Sequence, residues 1–144
     1  HDMILHSYGP GRTMASLHAE VPRDTDIEDS HEVIDRAERE VSRKLGVFLV
    51  IHMDPVEMKD EQVLECREKL EQYLNELDPE LKYHDFRMVK GKNQINLIFD
   101  VVVPFSYTEE RQRELKKTVT RHMQEMDGRY RCVITVDKSY IGRE

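Results

Sequence analysis

Histidine and aspartate side chains with the chemistry of metal ligands recur in the first half of the chain. His52 and Asp54 belong to the apolar run Val47–Pro55, which follows Gly46 and predicts a buried strand. Side chains alternate along a strand, so both residues point to the same face. An imidazole beside a carboxylate on an apolar strand is costly to bury unless a metal or hydrogen bonds satisfy it. The pair therefore indicates either metal ligands or an ordinary buried polar pair.

Three further histidines could join this pair. His18 lies on the polar face of a predicted strand, His1 leads another, and His31 lies on the apolar stripe near the start of a predicted helix. Imidazoles and a carboxylate that converge at one end of a unit would suit Zn(II) or another divalent transition metal. A single inward histidine, however, is more often a hydrogen-bonded core group. From spacing alone, the metal-binding and the structural interpretation of these histidines are equally supported.

Apolar periodicity and helix caps predict the elements that position these residues. Asp26 precedes a stretch with apolar residues every three or four positions, and Gly46 ends it. This stretch predicts a helix whose inward stripe consists of Ile27, His31, Ile34, Ala37, Val41 and Leu45. The predicted elements are, in order, strands His1–Leu5 and Met14–Val21, helix Ile27–Leu45, strand Val47–Pro55, helix Glu61–Leu77, strands Leu81–Val89 and Ile95–Val103, helix Thr108–Met126 and strand Tyr130–Val136.

The order of elements repeats, which indicates a degenerate duplication. The matched positions are His1-Asp2 with His84-Asp85, Val21-Pro22 with Val103-Pro104, Gly46 with Gly128, Ile51 with Ile134 and Asp54 with Asp137. We expect an α+β fold of two ferredoxin-like (metallochaperone-like) βαβ-rich repeats, residues 1–57 and 58–144, with helices on one face of small sheets. The first repeat lacks the helix that opens the second, so we expect the chain to begin mid-unit and to be part of a longer protein. The uncovered sheet face predicts dimerisation.

The second repeat keeps fewer of the candidate ligands. It retains His84 and Asp137, whereas Asp100 and Thr135 stand where the first repeat has imidazoles. We expect this repeat to be structural, or at best a weaker site for a hard metal.

Composition and motifs exclude several classes of function. The chain has 144 residues and a net charge of −7 at pH 7, which argues against nucleic-acid binding. The sequence contains neither an HExxH motif nor a nucleophile elbow, so we expect neither an enzyme nor a protein with a small-molecule substrate. No apolar stretch approaches the roughly 18 residues of a membrane helix. Cys66 and Cys132 lack metal-ligand spacing and are predicted to be reduced and structural, in a cytosolic setting.

Five segments of the first repeat resemble the cytoplasmic C-terminal domain of cation diffusion facilitator (cation efflux) transporters. They are His1-Asp2, Tyr8-Gly9-Pro10-Gly11-Arg12, Leu17-His18-Ala19-Glu20-Val21, His31 at a helix start with Glu38 after it, and Ile51-His52-Met53-Asp54-Pro55. The resemblance covers residues 1–57, and residues 58–144 resemble an extra repeat carried by some bacterial members. It implies a domain that dimerises beneath a membrane transporter and binds a regulatory divalent metal, usually zinc.

By this resemblance, the metal ligands would be His1, His18, His31, His52 and Asp54, with His31 reaching the metal across the dimer as in some members. We therefore expect a soluble regulatory and dimerisation domain at the cytoplasmic face of the cell membrane. Its partners would be a second copy and its own transmembrane domain, and metal would shift the dimer. Affinity would fall below about pH 6.5, because ligand imidazoles must be neutral. The alternative is a metal-free dimerisation or scaffold module with structural histidines.

Overall fold

The computed structural model describes residues 1–57 and 60–138 and divides the chain into two compact units. Unit 1 is His1–Val56 and unit 2 is Glu57–Glu144. Residues 58, 59 and 139–144, at the two ends of the predicted second repeat, lie outside the described residues. In the described parts the elements are β1 (Ile4–Ser7), β2 (Thr13–Pro22), α1 (Ile27–Leu45), β3 (Val47–Val56), α2 (Glu61–Leu77), β4 (Lys82–Lys90), β5 (Ile95–Val103), α3 (Glu109–Met126) and β6 (Tyr130–Lys138).

The two units have the same sheet plan. Unit 1 forms the sheet β1-β2-β3 and unit 2 the sheet β4-β5-β6. In each, the first pair of strands is antiparallel and the second pair is parallel, joined by a crossover helix. The predicted α+β fold of two βαβ units is therefore confirmed. Within residues 1–57 and 60–138, none of the helices combines the length and apolar character needed to cross a membrane.

Helix α1 of unit 1 begins and ends where its caps predict. The carboxylate of Asp26 accepts hydrogen bonds from the backbone N–H groups of Glu28 and Asp29, at 2.8 and 3.1 Å. Gly46 takes a left-handed φ of 65° and donates its N–H to the carbonyl of Ser42. Both ends of α1 match the prediction.

The inward face of α1 differs from the predicted stripe. Ile34, Ala37 and Val41 are half-buried as predicted, and Ser30 is buried. Three members of the predicted stripe are instead exposed, namely Ile27, His31 and Leu45. Each residue turns the helix by about 100°, so with Ser30 facing the sheet, His31 cannot do so. The inward orientation predicted for His31 is wrong.

Strand β3 is covered on one face only. Leu49 is buried beneath α1, but Phe48 and Val50, on the opposite face, are 61% and 44% exposed. The prediction of a buried strand holds only in part, because Leu49, Asp54 and Val56 are buried and the other residues of β3 are half-buried or exposed. Along the outer edge of β3, the Glu38 carboxylate of α1 accepts the backbone N–H of Ile51 at 2.6 Å. This contact satisfies an edge donor that no strand pairs.

Unit 2 contains an extensive core, built around the central strand β5. Helix α2 contacts β4, α3 contacts β6, and the two helices contact each other. The largest fully buried side chains are Phe99, Leu70, Leu74, Leu81, Met88, Ile95, Leu97, Met123, Val101, Val103 and Val119. Cys66 and Cys132 are free thiols, as predicted. Burial raises the pKa of each thiol to about 11.

Candidate metal centre

The parallel ladder between β2 and β3 brings the predicted ligands of unit 1 together. His18 is the ladder partner of His52, and Glu20 is the ladder partner of Asp54. Alternation places all four side chains on the face of the sheet that α1 does not cover. The backbone N–H of His18 also donates to the carbonyl of His1, at 2.9 Å, which holds His1 against this edge.

Asp54 is the centre of the cluster. Its Oδ2 atom lies 2.9 Å from Nδ1 of His18 and 3.3 Å from Nε2 of His1. Its other oxygen, Oδ1, lies 3.4 Å from Nε2 of His52. Asp54 is only 7% exposed, whereas the His52 side chain is 68% exposed. A buried carboxylate is therefore surrounded by three imidazoles, of which one is open to solvent.

Asp2 orients the His1 ring from outside the cluster. Oδ2 of Asp2 lies 3.0 Å from Nδ1 of His1, which directs Nε2 of the same ring toward Asp54. Metal-binding histidines commonly donate their other ring N–H to a carboxylate in this way. Asp2 reaches this position because its backbone has a positive φ of 53°.

The donor set fits a divalent transition metal. One ligand atom from each of His1, His18 and Asp54 lies within 4.8 Å of the others. Two nitrogens and one carboxylate oxygen, with His52 at the open side, match the mixed ligands that zinc accepts. The same contacts also satisfy the carboxylate by hydrogen bonding. Among the described residues, no buried side-chain nitrogen or oxygen lacks a hydrogen-bond partner.

The structure brings four of the five predicted ligands together and leaves one apart. His31 lies on the exposed surface of α1 and is not part of the cluster around Asp54 within unit 1. Two acidic neighbours were missed. Glu20 lies 3.7 Å from Nε2 of His1, and Asp2 holds the same ring. Strand alternation could have identified Glu20, which shares a face with His18, but a positive φ at Asp2 leaves no such pattern.

A family model matches the first part of the chain. Residues 1–56 match the family model described as "Cation efflux protein, cytoplasmic domain" (ZT_dimer). The match covers unit 1, with its cluster of imidazoles and carboxylates, and not unit 2. No curated protein shows significant similarity to the chain.

Proposed function

Because residues 1–56 match the family model of cation efflux protein cytoplasmic domains, we propose that this chain regulates and dimerises a divalent-cation efflux transporter. Zinc is the metal that we propose for unit 1, and its binding shifts the dimer. Domains of this family are parts of transporters and not enzymes. The transmembrane domain of the same protein would be the partner that responds.

The convergence of His1, His18 and Asp54 is the observation that carries the metal proposal. These residues come from the chain segment before β1 and from two strands, yet their ligand atoms meet within 4.8 Å. His52 would complete the set from its exposed position beside Asp54. A bound zinc ion would supply positive charge at a buried carboxylate.

The distribution of apolar surface supports dimerisation through unit 1. The buried apolar residues of unit 1 are only Ala15, Leu49 and Val56 among its described residues. Among the residues that the structure describes, ten of the thirteen exposed large hydrophobic residues nevertheless belong to this unit. They are Met3, Ile4, Leu5, Tyr8, Met14, Ile27, Val33, Leu45, Phe48 and Val50. Ile27, Val33 and Leu45 lie on α1, whereas Met14, Phe48 and Val50 lie on the uncovered face of the sheet. A unit of this size is marginally stable alone, and a second copy on its uncovered face would supply the missing burial.

Unit 2 differs from unit 1 at the corresponding place on its sheet. Met14 and Phe48 are ladder partners on the uncovered face of unit 1. The equivalent ladder partners of unit 2 are Asn96 and Arg131. An apolar pair has thus become a polar and a charged residue, which does not favour self-association. This contrast supports unit 1 as the dimerising unit.

Electrostatics supplies the link between the metal and the dimer. Asp2, Glu20 and Asp54 cluster at one edge of unit 1, so two copies that approach here would repel each other. Neutralising this charge would favour a closer arrangement of the two copies. The coupling required is modest, about 1–3 kcal/mol, as is typical of allosteric linkage.

Calorimetric titration with zinc tests the metal site. We expect the wild type to bind zinc, and Asp54→Asn to lose most of the affinity because it removes the central carboxylate charge. Asp24→Asn, at an exposed aspartate of the same unit that is outside the cluster, is the matched control and should bind as the wild type does. Equal zinc binding by all three proteins would show that the cluster around Asp54 is not the zinc site.

Sedimentation equilibrium tests the dimer. Met14→Asn and Phe48→Arg copy the residues of unit 2 onto unit 1, and we expect both variants to dissociate more readily than the wild type. Val33→Asn removes an exposed apolar residue of α1 instead and should leave association unchanged. Far-UV circular dichroism separates dissociation from unfolding. A wild type that stays monomeric, with and without zinc, would contradict the proposal.

A metal-free dimerisation or scaffold module is the second candidate function. It is favoured by the hydrogen bond between Asp54 and His18, which satisfies the buried carboxylate without an ion. This alternative predicts dimerisation by the wild type but no stoichiometric zinc binding in calorimetry. The two experiments together therefore distinguish the candidates.

A further inference from the structure

Unit 2 holds its own cluster of possible metal ligands, at the same place in its sheet. One ligand atom from each of His84, Asp100 and Asp137 lies within 4.8 Å of the others. Nδ1 of His84 is 3.6 Å from Oδ2 of Asp100, and Nε2 is 3.7 Å from Oδ2 of Asp137. The three residues come from β4, β5 and β6, so the whole width of the sheet contributes to the cluster.

The ladder registers align this cluster with the cluster of unit 1. His84 pairs with Asp100 across the antiparallel ladder, and Asp100 pairs with Thr135 across the parallel ladder. In unit 1 the same parallel step joins His18 to His52. The imidazoles of β2 and β3 have therefore been replaced by a carboxylate and a hydroxyl in unit 2.

An outer carboxylate also orients the His84 ring. Oδ2 of Asp85 lies 2.9 Å from Nδ1 of His84 and is nearer to this nitrogen than Oδ2 of Asp100 is. Nε2, which faces Asp137, is therefore the ring nitrogen left to bind an ion. Asp85 is not a member of the ligand cluster, and it repeats the role that Asp2 has toward His1. A carboxylate on the far nitrogen is the arrangement found around metal-binding histidines.

We infer that His84, Asp100 and Asp137 form a second divalent-cation site, of harder character than the cluster of unit 1. One imidazole and two carboxylates make a set rich in oxygen, and oxygen ligands and water suit Mn²⁺ better than nitrogen-rich sets do. His84 and Asp137 are exposed, which leaves room for water to complete the coordination. The site binds Zn²⁺ more weakly than the nitrogen-rich cluster of unit 1 does, and Mn²⁺ occupies it before the cluster of unit 1.

Paramagnetic broadening of amide NMR signals by Mn²⁺ locates the site directly. We expect small additions of MnCl₂ to the wild type, and to Asp54→Asn, to broaden the signals of residues around His84, Asp100 and Asp137 first. The chelator EDTA should restore these signals. In Asp100→Asn, at least tenfold more Mn²⁺ should be needed for the same broadening. Glu68→Gln, at an exposed acid of α2 outside the cluster, should behave as the wild type.

The result in each unit is read separately. Broadening that is absent from the cluster of unit 2, spread evenly over the acidic surface, or unchanged in Asp100→Asn overturns the second site. The zinc titration of Asp54→Asn reports on unit 1 alone. Failure of the proposed function would therefore appear in calorimetry, whereas failure of the second site would appear in the NMR signals of unit 2. Loss of the unit 2 effect in Asp100→Asn with an unchanged fold supports the inference.

Discussion

Asp2 and Asp85 hold the same uncommon backbone conformation, with φ angles of 53° and 54°. Each places a carboxylate oxygen beside Nδ1 of the histidine that precedes it, at 3.0 Å in unit 1 and 2.9 Å in unit 2. Among the described residues, these two are the only ones other than glycine with a positive φ. Aspartate tolerates this region better than most residues. The two units therefore share a local conformation as well as a sheet plan, which supports their origin by duplication.

The two matched glycines should respond differently to a methyl group. Gly46→Ala should destabilise unit 1 by about 1 kcal/mol, because Gly46 caps α1 at a φ of 65°. Gly128→Ala is the control, since α3 is capped by Asp127 and a Cβ at Gly128 would meet no atom within 4 Å. Amide hydrogen exchange in α1 and α3 measures each effect. Equal destabilisation by both variants would contradict the assigned role of Gly46.

The contact between Glu38 and β3 should stabilise the strand that carries Asp54. Glu38→Ala removes the acceptor of the Ile51 N–H, and we expect a loss of about 1–2 kcal/mol together with faster exchange of that amide. Glu38→Gln keeps an acceptor oxygen and should lose less. Unchanged exchange at Ile51 in Glu38→Ala would show that the bond does not protect this edge.

The pair of Asp78 and Tyr107 should make the stability of unit 2 depend on pH. The Tyr107 hydroxyl donates to Oδ2 of Asp78 at 2.6 Å, and this bond is the main cause that lowers the pKa of Asp78. Because the pKa of Asp78 is lower in the folded than in the unfolded chain, its ionised carboxylate stabilises unit 2 at pH values above the unfolded pKa, near 3.8. This stabilisation is lost as the pH falls through the folded pKa of Asp78.

Tyr107→Phe removes this bond. The variant should lose about 1–2 kcal/mol at neutral pH, and its difference from the wild type should shrink as Asp78 becomes protonated. Urea unfolding across the acid range measures this, with Tyr83→Phe as a control at another tyrosine of unit 2. A constant difference at every pH would contradict the role of Asp78.

The two thiols should resist alkylation in the folded protein. With a pKa of about 11, roughly one thiol in a thousand is ionised at pH 8, and only the thiolate reacts with iodoacetamide. We expect slow modification of Cys66 and Cys132 in the native chain and rapid modification after unfolding in guanidinium. Mass spectrometry measures both rates, and rapid labelling of the native protein would contradict the raised pKa values.

The histidines around Asp54 should contribute unequally to zinc binding. His18 lies 2.9 Å from the buried carboxylate, whereas His52 is largely exposed. We expect His18→Ala to weaken zinc binding on the order of 100-fold and His52→Ala to weaken it less. His6→Ala, at an exposed histidine outside the cluster, should have no effect in the same calorimetric titration.

The sequence predicted the helices well because their ends carry local signals. Asp26 and Gly46 determine the bounds of α1 through contacts with their own neighbours, so no tertiary information is needed. The orientation of α1 was harder to predict, because Ile27 and Leu45 extend the apolar pattern without being covered. In the first turns of α1, the polar residue Ser30 faces inward, whereas periodicity had predicted this orientation for Ile27 and His31.

Part of the candidate site also followed from sequence. Strand alternation placed His52 with Asp54, and His18 on the polar face of β2. It could not give the parallel register that makes His18 the partner of His52, because pairing between distant strands leaves no local pattern. The bend at Asp2 that turns His1 toward Asp54 was invisible for the same reason.

The parallel ladder of β2 and β3 has a consequence for how this protein can vary. Inserting or deleting one residue in either strand would carry its ligands to the side beneath α1, so indels there should abolish the centre outright. Single-residue substitutions, by contrast, keep the register of the two strands. Unit 2, with Asp100 and Thr135 on an intact ladder, is an example of such tolerated exchange. Metal preference can therefore diversify through point substitutions, while strand spacing stays under strict constraint.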